Sequence, residues 1–441
     1  MACTLKGLFF GLLLNVFFCV GAYANTYTAA SCSASDMQTA INSTSNGDTV
    51  LIPASSCTGG ITWSSPITIT TAITLNGQGA TVTWASGGYI LVTANSSGNT
   101  FVTGFNFQQG FTGGGCPVHF TSSNSPMTLP FRFYNNTFTD NGLQSSGVTM
   151  VCMSGLGPGL IDHNTFTVNH GADEIIHNLG AGSPTNYGGW SVDVTPGGPN
   201  MLFVENNTFT YNAVTSPANN PAGPYYFWGT SAIEDFYGSQ LVFRYNTMNY
   251  VQVDAHGSSP GTCSGSGTEN STRWYEVYNN TWNIPTANSN QSNYTDFRGG
   301  SGVAWGNTVN GASNNTVEGG IEFTEDCTSG GTWPLNTQVG RGINENTGGP
   351  AYAWGNNSSM VVYSGNTNYV LAGSSLSACS HTPCDVVSLS SAPTTLTRCE
   401  SAADVTAGCP VTYTYTPYTY PHPLENAVPP SAPSNVQAVA H

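Results

Sequence analysis

The sequence predicts an all-β solenoid, a chain wound into stacked coils of short parallel strands, and three observations predict it. A phrase recurs: "FYNNTFT", "IDHNTFT", "VENNTFT", "FRYNTMN", "VYNNTWN" and "AWGNTVN" place asparagines at 136, 164, 207, 246, 280 and 307. Inside each phrase apolar and polar residues alternate with period two, and helical periodicity is nearly absent. Glycine-rich punctuation separates one phrase from the next, as turns between strands require.

The repeat fixes what stacks on what. Three residues before each asparagine stands Phe133, Ile161, Val204, Phe243, Val277 or Ala304, and two residues after it stands Phe138, Phe166, Phe209, Met248, Trp282 or Val309. The simplest packing gives each set its own column, one residue per coil. Asn135, Asn206 and Asn279 each open an Asn-x-Thr acceptor for glycosylation. The structural reading of these asparagines is that they tolerate left-handed turns and stack amide on amide between coils.

Taken from the N-terminus, "MACTLKGLFFGLLLNVFFCVGAYA" has one positive charge, an apolar run and a small-residue cleavage site, so residues 1–24 read as an export signal. "SASDMQTAINSTSNGDTVLIPA" reads as a short amphipathic helix followed by a strand, with Ser35, Ala40 and Ile41 suited to capping an open edge. Residues 25–370 carry the repeats. Residues 371–424 form a cysteine-rich segment ending in alternating Tyr and Thr, read as a strap over the open end of the solenoid. Residues 425–441 are rich in Pro, Ala and Ser and read as linker. "PPSAPSNVQAVA" there resembles the start of a fibronectin type III module.

Outside the signal, ten cysteines in an exported chain favour disulfides over metal thiolates, with Cys379–Cys384 and Cys399–Cys409 as local loops. Charge is scarce: 7% of residues are charged, the net charge is −16, and the single lysine, Lys6, falls in the signal. Such a chain is a poor nucleic-acid binder. No later run is long enough to span a bilayer, so membrane insertion is not expected, and the reading is a secreted or cell-surface protein. The oligomeric state is open.

Few charges make their placement informative. In "YVQVDAHGS" a strand turns Val251, Val253 and Ala255 one way and Gln252, Asp254 and His256 the other. Aligning coils on Gly155, Gly180, Gly238, Gly257, Gly299 and Gly330 puts Cys152, His177, Asp235, Asp254, Asp296 and Cys327 in one column. Ser154, Leu179, Tyr237, His256, Arg298 and Ser329 fall in a second. Asp235, Asp254 and Asp296 would then lie on successive coils, ~4.8 Å apart. Like charges at that spacing need a bound cation, a shared proton or a flanking counter-charge such as Arg298 or His256. "NHGADEIIHN" adds His170, Asp173, Glu174 and His177, a Glu-x-x-His spacing that has meaning for zinc on a helix but falls here on a strand.

These features together resemble the right-handed parallel β-helix of the pectin-lyase-like superfamily, which includes pectate lyases and other polysaccharide lyases. The resemblance covers roughly 29–370 and implies a single-stranded right-handed parallel β-helix with an N-terminal capping helix. It implies cleavage of an extracellular polysaccharide, by calcium-assisted β-elimination of a uronate or by carboxylate-driven hydrolysis. In the elimination reading Asp235, Asp254 and Asp296 hold Ca²⁺, His256 carries the proton, Asp254 and Arg298 complete the catalytic set, and Tyr237, Tyr294 and Arg341 bind sugar. A non-enzymatic matrix, adhesive or carbohydrate-binding solenoid is the alternative of a different class. The chain departs from the family's signatures: none of its arginines sits in Arg-x-Pro-x-x-Arg, no Lys-Arg pair exists, and "AHGS" matches Gly-His-Gly only in part.

Overall fold

The computed structural model describes residues 24–53, 57, 59–85, 87–93, 98–110, 116–121, 130–140, 149–155, 157–169, 174–180, 192–212, 231–256, 271–283, 295–310, 320–323, 339–340, 349–357, 361–364, 371–372, 386–399 and 402–427. Across them the chain forms a parallel β-helix whose coils each contribute strands to three faces. One face is a ten-stranded parallel sheet running from Ile67–Ile69 through Val118–Thr121, Val151–Ser154, Ile176–Leu179, Ser231–Phe236, Gln252–Ala255 and Thr295–Phe297 to Val361–Ser364. The second face stacks Phe131–Tyr134, Gly159–Asp162, Leu202–Glu205, Gln240–Arg244, Trp274–Tyr278, Ser301–Trp305, Ala351–Trp354 and Val386–Leu389. The third stacks Thr137–Thr139, Thr165–Val168, Thr208–Tyr211, Thr247–Asn249, Thr281–Asn283 and Thr308–Asn310.

The recurring phrase is the corner between the second and third faces. Phe138, Phe166, Phe209, Met248 and Trp282 stand in register as one buried column, with Phe138 and Phe166 stacked at 5.0 Å and Phe166 and Phe209 at 4.9 Å. The asparagines form the expected ladder. Asn207 donates through both its backbone N–H (2.9 Å) and its Nδ2 (3.1 Å) to Oδ1 of Asn246, and the pattern repeats from Asn136 to Asn356. The doubled asparagines divide the labour: Asn135, Asn206 and Asn279 take the left-handed conformation at φ 54°, 58° and 53°, and the next residue enters the ladder. Asn tolerates that region because its short polar side chain bonds locally.

At the N-terminal end the helix Ala34–Asn42 buries Met37 and Ile41, and Ser33 caps it by accepting the Asp36 N–H. Gln38 closes the sheet edge by mimicking a strand. Its Nε2 donates to the Thr68 carbonyl (3.0 Å) and its Oε1 accepts the Thr68 N–H (2.7 Å), so the edge has nothing to offer another chain at that point.

The C-terminal strap lies along the flank, where the sequence reading put it over the open end. Leu396–Arg398 and Val411–Tyr413 pair antiparallel beside the Cys399–Cys409 disulfide, and the following chain runs back across the outside of the second face. The reason is apolar: Leu160, Phe203, Val242, Trp274, Tyr278 and Val303 point outward from that face and need cover. Two arginines hold the cover in place. Arg244 pairs with Glu205 (2.6 Å) and donates to the carbonyls of Tyr418 and Thr419, while Arg132 pairs with Asp162 (2.6 Å) and donates to those of Leu424 and Glu425. Disulfides Cys32–Cys57 and Cys116–Cys152 tie the N-terminal coils; Cys263, Cys327, Cys379 and Cys384 lie outside the described residues.

Candidate functional site

The ten-stranded face carries the acidic column, and its inward residues set the register. Ile176, Ile233 and Val253 pair as one buried row, which forces His177, Glu234 and Asp254 outward together, with Asp296 opposite Asp254 on the next coil. Backbone register carries the column on to Glu322. His256 and Arg298 follow two residues after Asp254 and Asp296, on the same outward side and on neighbouring coils.

Asp235 is therefore misplaced in the sequence reading, and Glu234 holds the position assigned to it. Asp235 faces the core in register with Ala255, fully buried, and its Oδ1 accepts from Asn178 Nδ2 at 2.7 Å. Burial pushes its carboxyl up to about 8, the field of Asp254 adds to the rise, and the hydrogen bond from Asn178 opposes it. The glycine used for alignment misled. Tyr237, not Gly238, lies level with Gly180, whose added Cβ would stand 2.3 Å from the Tyr237 carbonyl oxygen. Tyr237 takes the left-handed φ of 53° there, and Gly238 comes one residue late.

Arg298 is the centre of the cluster. Its Nη2 and Nε grip Asp254, the latter at 3.2 Å, Nη2 reaches Glu234 Oε1 at 3.5 Å and Nε reaches Asp296 Oδ2 at 3.5 Å. His256 places Nε2 3.5 Å from the same Glu234 oxygen, with its ring over Phe236 at 4.1 Å. Its backbone N–H donates to the Asp235 carbonyl (3.0 Å), which fixes the ring's base. Asp254 and Glu234 are nearly closed off, at 5% and 8% side-chain exposure, whereas Arg298, Asp296 and His256 keep 19%, 16% and 13% open to solvent.

Burial, the Glu174 hydrogen bond and the charges of Asp254 and Glu174 lift the Glu234 carboxyl well above the carboxylate range, against the pull of Arg298. Burial also raises Glu174, but its bond to Glu234 and the field of His177 outweigh that and leave it low. Burial holds His177 and His119 below the usual imidazole range; for His177 the Glu174 charge opposes this. His177 thus joins the site through strand register opposite Glu234, and Glu174 from the turn before that strand, in place of the zinc spacing their sequence suggested. The sequence reading missed Glu234, although "AIEDF" contains the signal: Ile233 is the residue that must face the core.

The carboxylates expected to hold calcium do not converge. Asp235 points inward, Asp254 is chelated by Arg298, and the three-residue group of possible ligands found among the described residues is Asp162, His163 and Glu425 on the strap side, where Arg132 already binds Asp162. Arg298 supplies the ladder with a counter-charge within 3.5 Å of Glu234, Asp254 and Asp296. Tyr237 stands at the end of its strand beside Phe236, with ring centroids 5.5 Å apart, near the His256 row. Tyr294 and Arg341 lie outside the described residues.

No family model matches the chain, and no curated protein matches it by sequence. Among solved structures it is similar to the crystal structure of an alginate lyase from Paenibacillus sp. str. FPU-7, with 16% sequence identity, 66% of this chain and 97% of that chain covered, and a TM-score of 0.34. A superposition that loose gives no residue of this chain a role.

Proposed function

We propose that the chain is an exported enzyme that cleaves a uronic-acid-containing polysaccharide by β-elimination across the Glu234–Arg298 face. The observation that carries this is the 3.5 Å approach of His256 Nε2 to the buried Glu234 carboxyl, with Arg298 reaching the same oxygen; burial lifts that carboxyl well above the carboxylate range. Elimination needs a cation at the uronate carboxylate, a base for the C5 proton and an acid for the leaving oxygen. Arg298 meets the carboxylate and stabilises the charge that develops on it. His256 takes the C5 proton, the C4–O bond breaks as the C4–C5 double bond forms, and Glu234 gives its proton to the departing oxygen. Acid and base this close sit on one side of a sugar ring, which suits syn elimination. An inverting hydrolase needs its two carboxyls about 6.5–9.5 Å apart, across the ring.

Retaining hydrolysis is the second reading, favoured by Glu234 and Asp254 meeting at the same nitrogen of Arg298. Asp254 is a weakened nucleophile while chelated, which ranks this reading lower. The test is a panel of pectates, alginates, glycosaminoglycans and neutral glucans, followed by both new reducing ends and the ultraviolet absorbance of unsaturated uronates. Both signals, lost in His256→Ala, support elimination. Reducing ends alone move the chemistry to the carboxylates, and silence on the whole panel from folded protein, with sugar binding retained, supports a matrix or adhesive solenoid.

A further inference from the structure

Glu234 has a buried oxygen that the ion pairs leave unexplained. Its Oε1 is turned toward His256 and Arg298, while Oε2 is shut off from solvent and accepts no hydrogen bond from the described residues. A buried carboxylate oxygen without a donor is costly, so native proteins satisfy such atoms. Arg298 Nη2 donates to Oε1 at 3.5 Å, and the other carboxyl that acts on Glu234 is Glu174, in the turn leading into Ile176–Leu179 on the preceding coil. Two ionised carboxylates offer only acceptors to each other; one proton between them turns the contact into a short, strong bond.

We infer that Glu174 and Glu234 share one proton, and that Glu174 is a positioning residue that keeps Glu234 protonated and aimed as the acid of the elimination proposed above. The inference rests on that reading for the acid's role and on the carboxyl contact for the proton. The charged and titratable groups around Glu234 agree on where the proton sits. Glu174 and Asp254, the latter in register on the next coil, favour it on Glu234, and Arg298 alone opposes. His177, in register on the preceding coil, and His256 both act on Glu174 by stabilising its ionised form. Asp235, next in the chain, faces away into the core, and Asp296 lies one coil beyond Asp254. The pair divides into an ionised Glu174 and a protonated Glu234, as coupled carboxyls do when their surroundings differ.

Two measurements on the full chain separate the parts of this inference. Infrared difference spectra between wild type and Glu234→Gln at neutral pH should contain the carbonyl band of a protonated carboxyl, and the same difference in a Glu174→Gln background should lack it. The alkaline limb of the kcat/KM profile should move to lower pH in Glu174→Gln, and Glu174→Asp should restore it. A missing band, or a Glu174→Gln loss equal at every pH, overturns the inference. A band that behaves as expected in a protein that cleaves no polysaccharide keeps the shared proton and removes the elimination reading instead.

Discussion

Replacing Arg298 by Gln leaves Asp254 nearly buried with its counter-charge gone and two further carboxyls beside it. At ~4 Å and an effective dielectric near 20 the lost attraction is ~4 kcal/mol, and cutting one partner from a buried pair costs ~3–5 kcal/mol. Because the guanidinium is 19% exposed, water recovers part of this, so the expected loss is ~3 kcal/mol. Asp254→Asn should cost less, ~1–2 kcal/mol, since Arg298 keeps Glu234 and Asp296. In the double variant both charges are absent, and it should regain ~1–3 kcal/mol over the sum of the single losses. Urea unfolding at neutral pH reads the cycle, and the panel assay reads turnover. Stability should return in the double variant, while kcat/KM stays down ~10²–10³-fold, the usual scale for a lost transition-state donor. Additive stabilities would refute the coupling, and regained turnover would reduce Arg298 to a fold element.

Asn246→Ala should destabilise the chain by ~3 kcal/mol, because it strands the Asn207 N–H and the Val204 carbonyl inside the corner. Asn356→Ala at the part-buried end of the ladder should cost clearly less, and equal losses in thermal melts would count against the ladder as a cooperative unit. Asp235 has its carboxyl raised to about 8 in the fold, so the folded state holds a proton there that the unfolded chain releases above its ordinary carboxylate range. Its share of stability is full at low pH and declines by up to ~1.4 kcal/mol per unit as pH rises from ~4 towards 8. Asp235→Asn should therefore gain on wild type between pH 5 and pH 8 in unfolding assays, and a constant difference would mean that Asp235 ionises without penalty.

The corner of the solenoid was legible because each of its positions has one residue type that works. A left-handed residue, a ladder amide and an inward apolar side chain leave their mark in every phrase from "FYNNTFT" to "AWGNTVN". The ten-stranded face was legible only where its strands are equally spaced from their turns. Asp254, His256, Asp296 and Arg298 came out in register, and Asp235 did not, since the left-handed Tyr237 stands level with Gly180 and leaves Gly238 one residue too late for the count. A glycine marks a backbone conformation, which Tyr237 adopts as well, whereas the inward row of Ile176, Ile233 and Val253 marks the face itself. The strap's position was hidden for another reason. Alternation reports one buried side of a strand, and "LFVE" or "WYEVY" bury both, so the need for cover becomes visible only once the coils are stacked.

The chain uses one device, an arginine bound to a carboxylate on a neighbouring coil, in two settings, and what distinguishes them is water. On the strap side Arg244 and Glu205 have no side-chain exposure at all; the guanidinium also holds Tyr278 and two strap carbonyls, and Glu205 accepts the His422 N–H. With its surroundings fixed by the strap, that pair can only hold the fold together. Arg298 and Asp254 have the same chemistry, but Arg298 stands at an edge open to solvent, beside an imidazole and a carboxyl oxygen that lacks a donor. Residue type alone therefore does not separate latch from site in this protein. An arginine–carboxylate pair becomes a candidate for chemistry where a ligand can reach it and where a neighbouring proton is still to be placed.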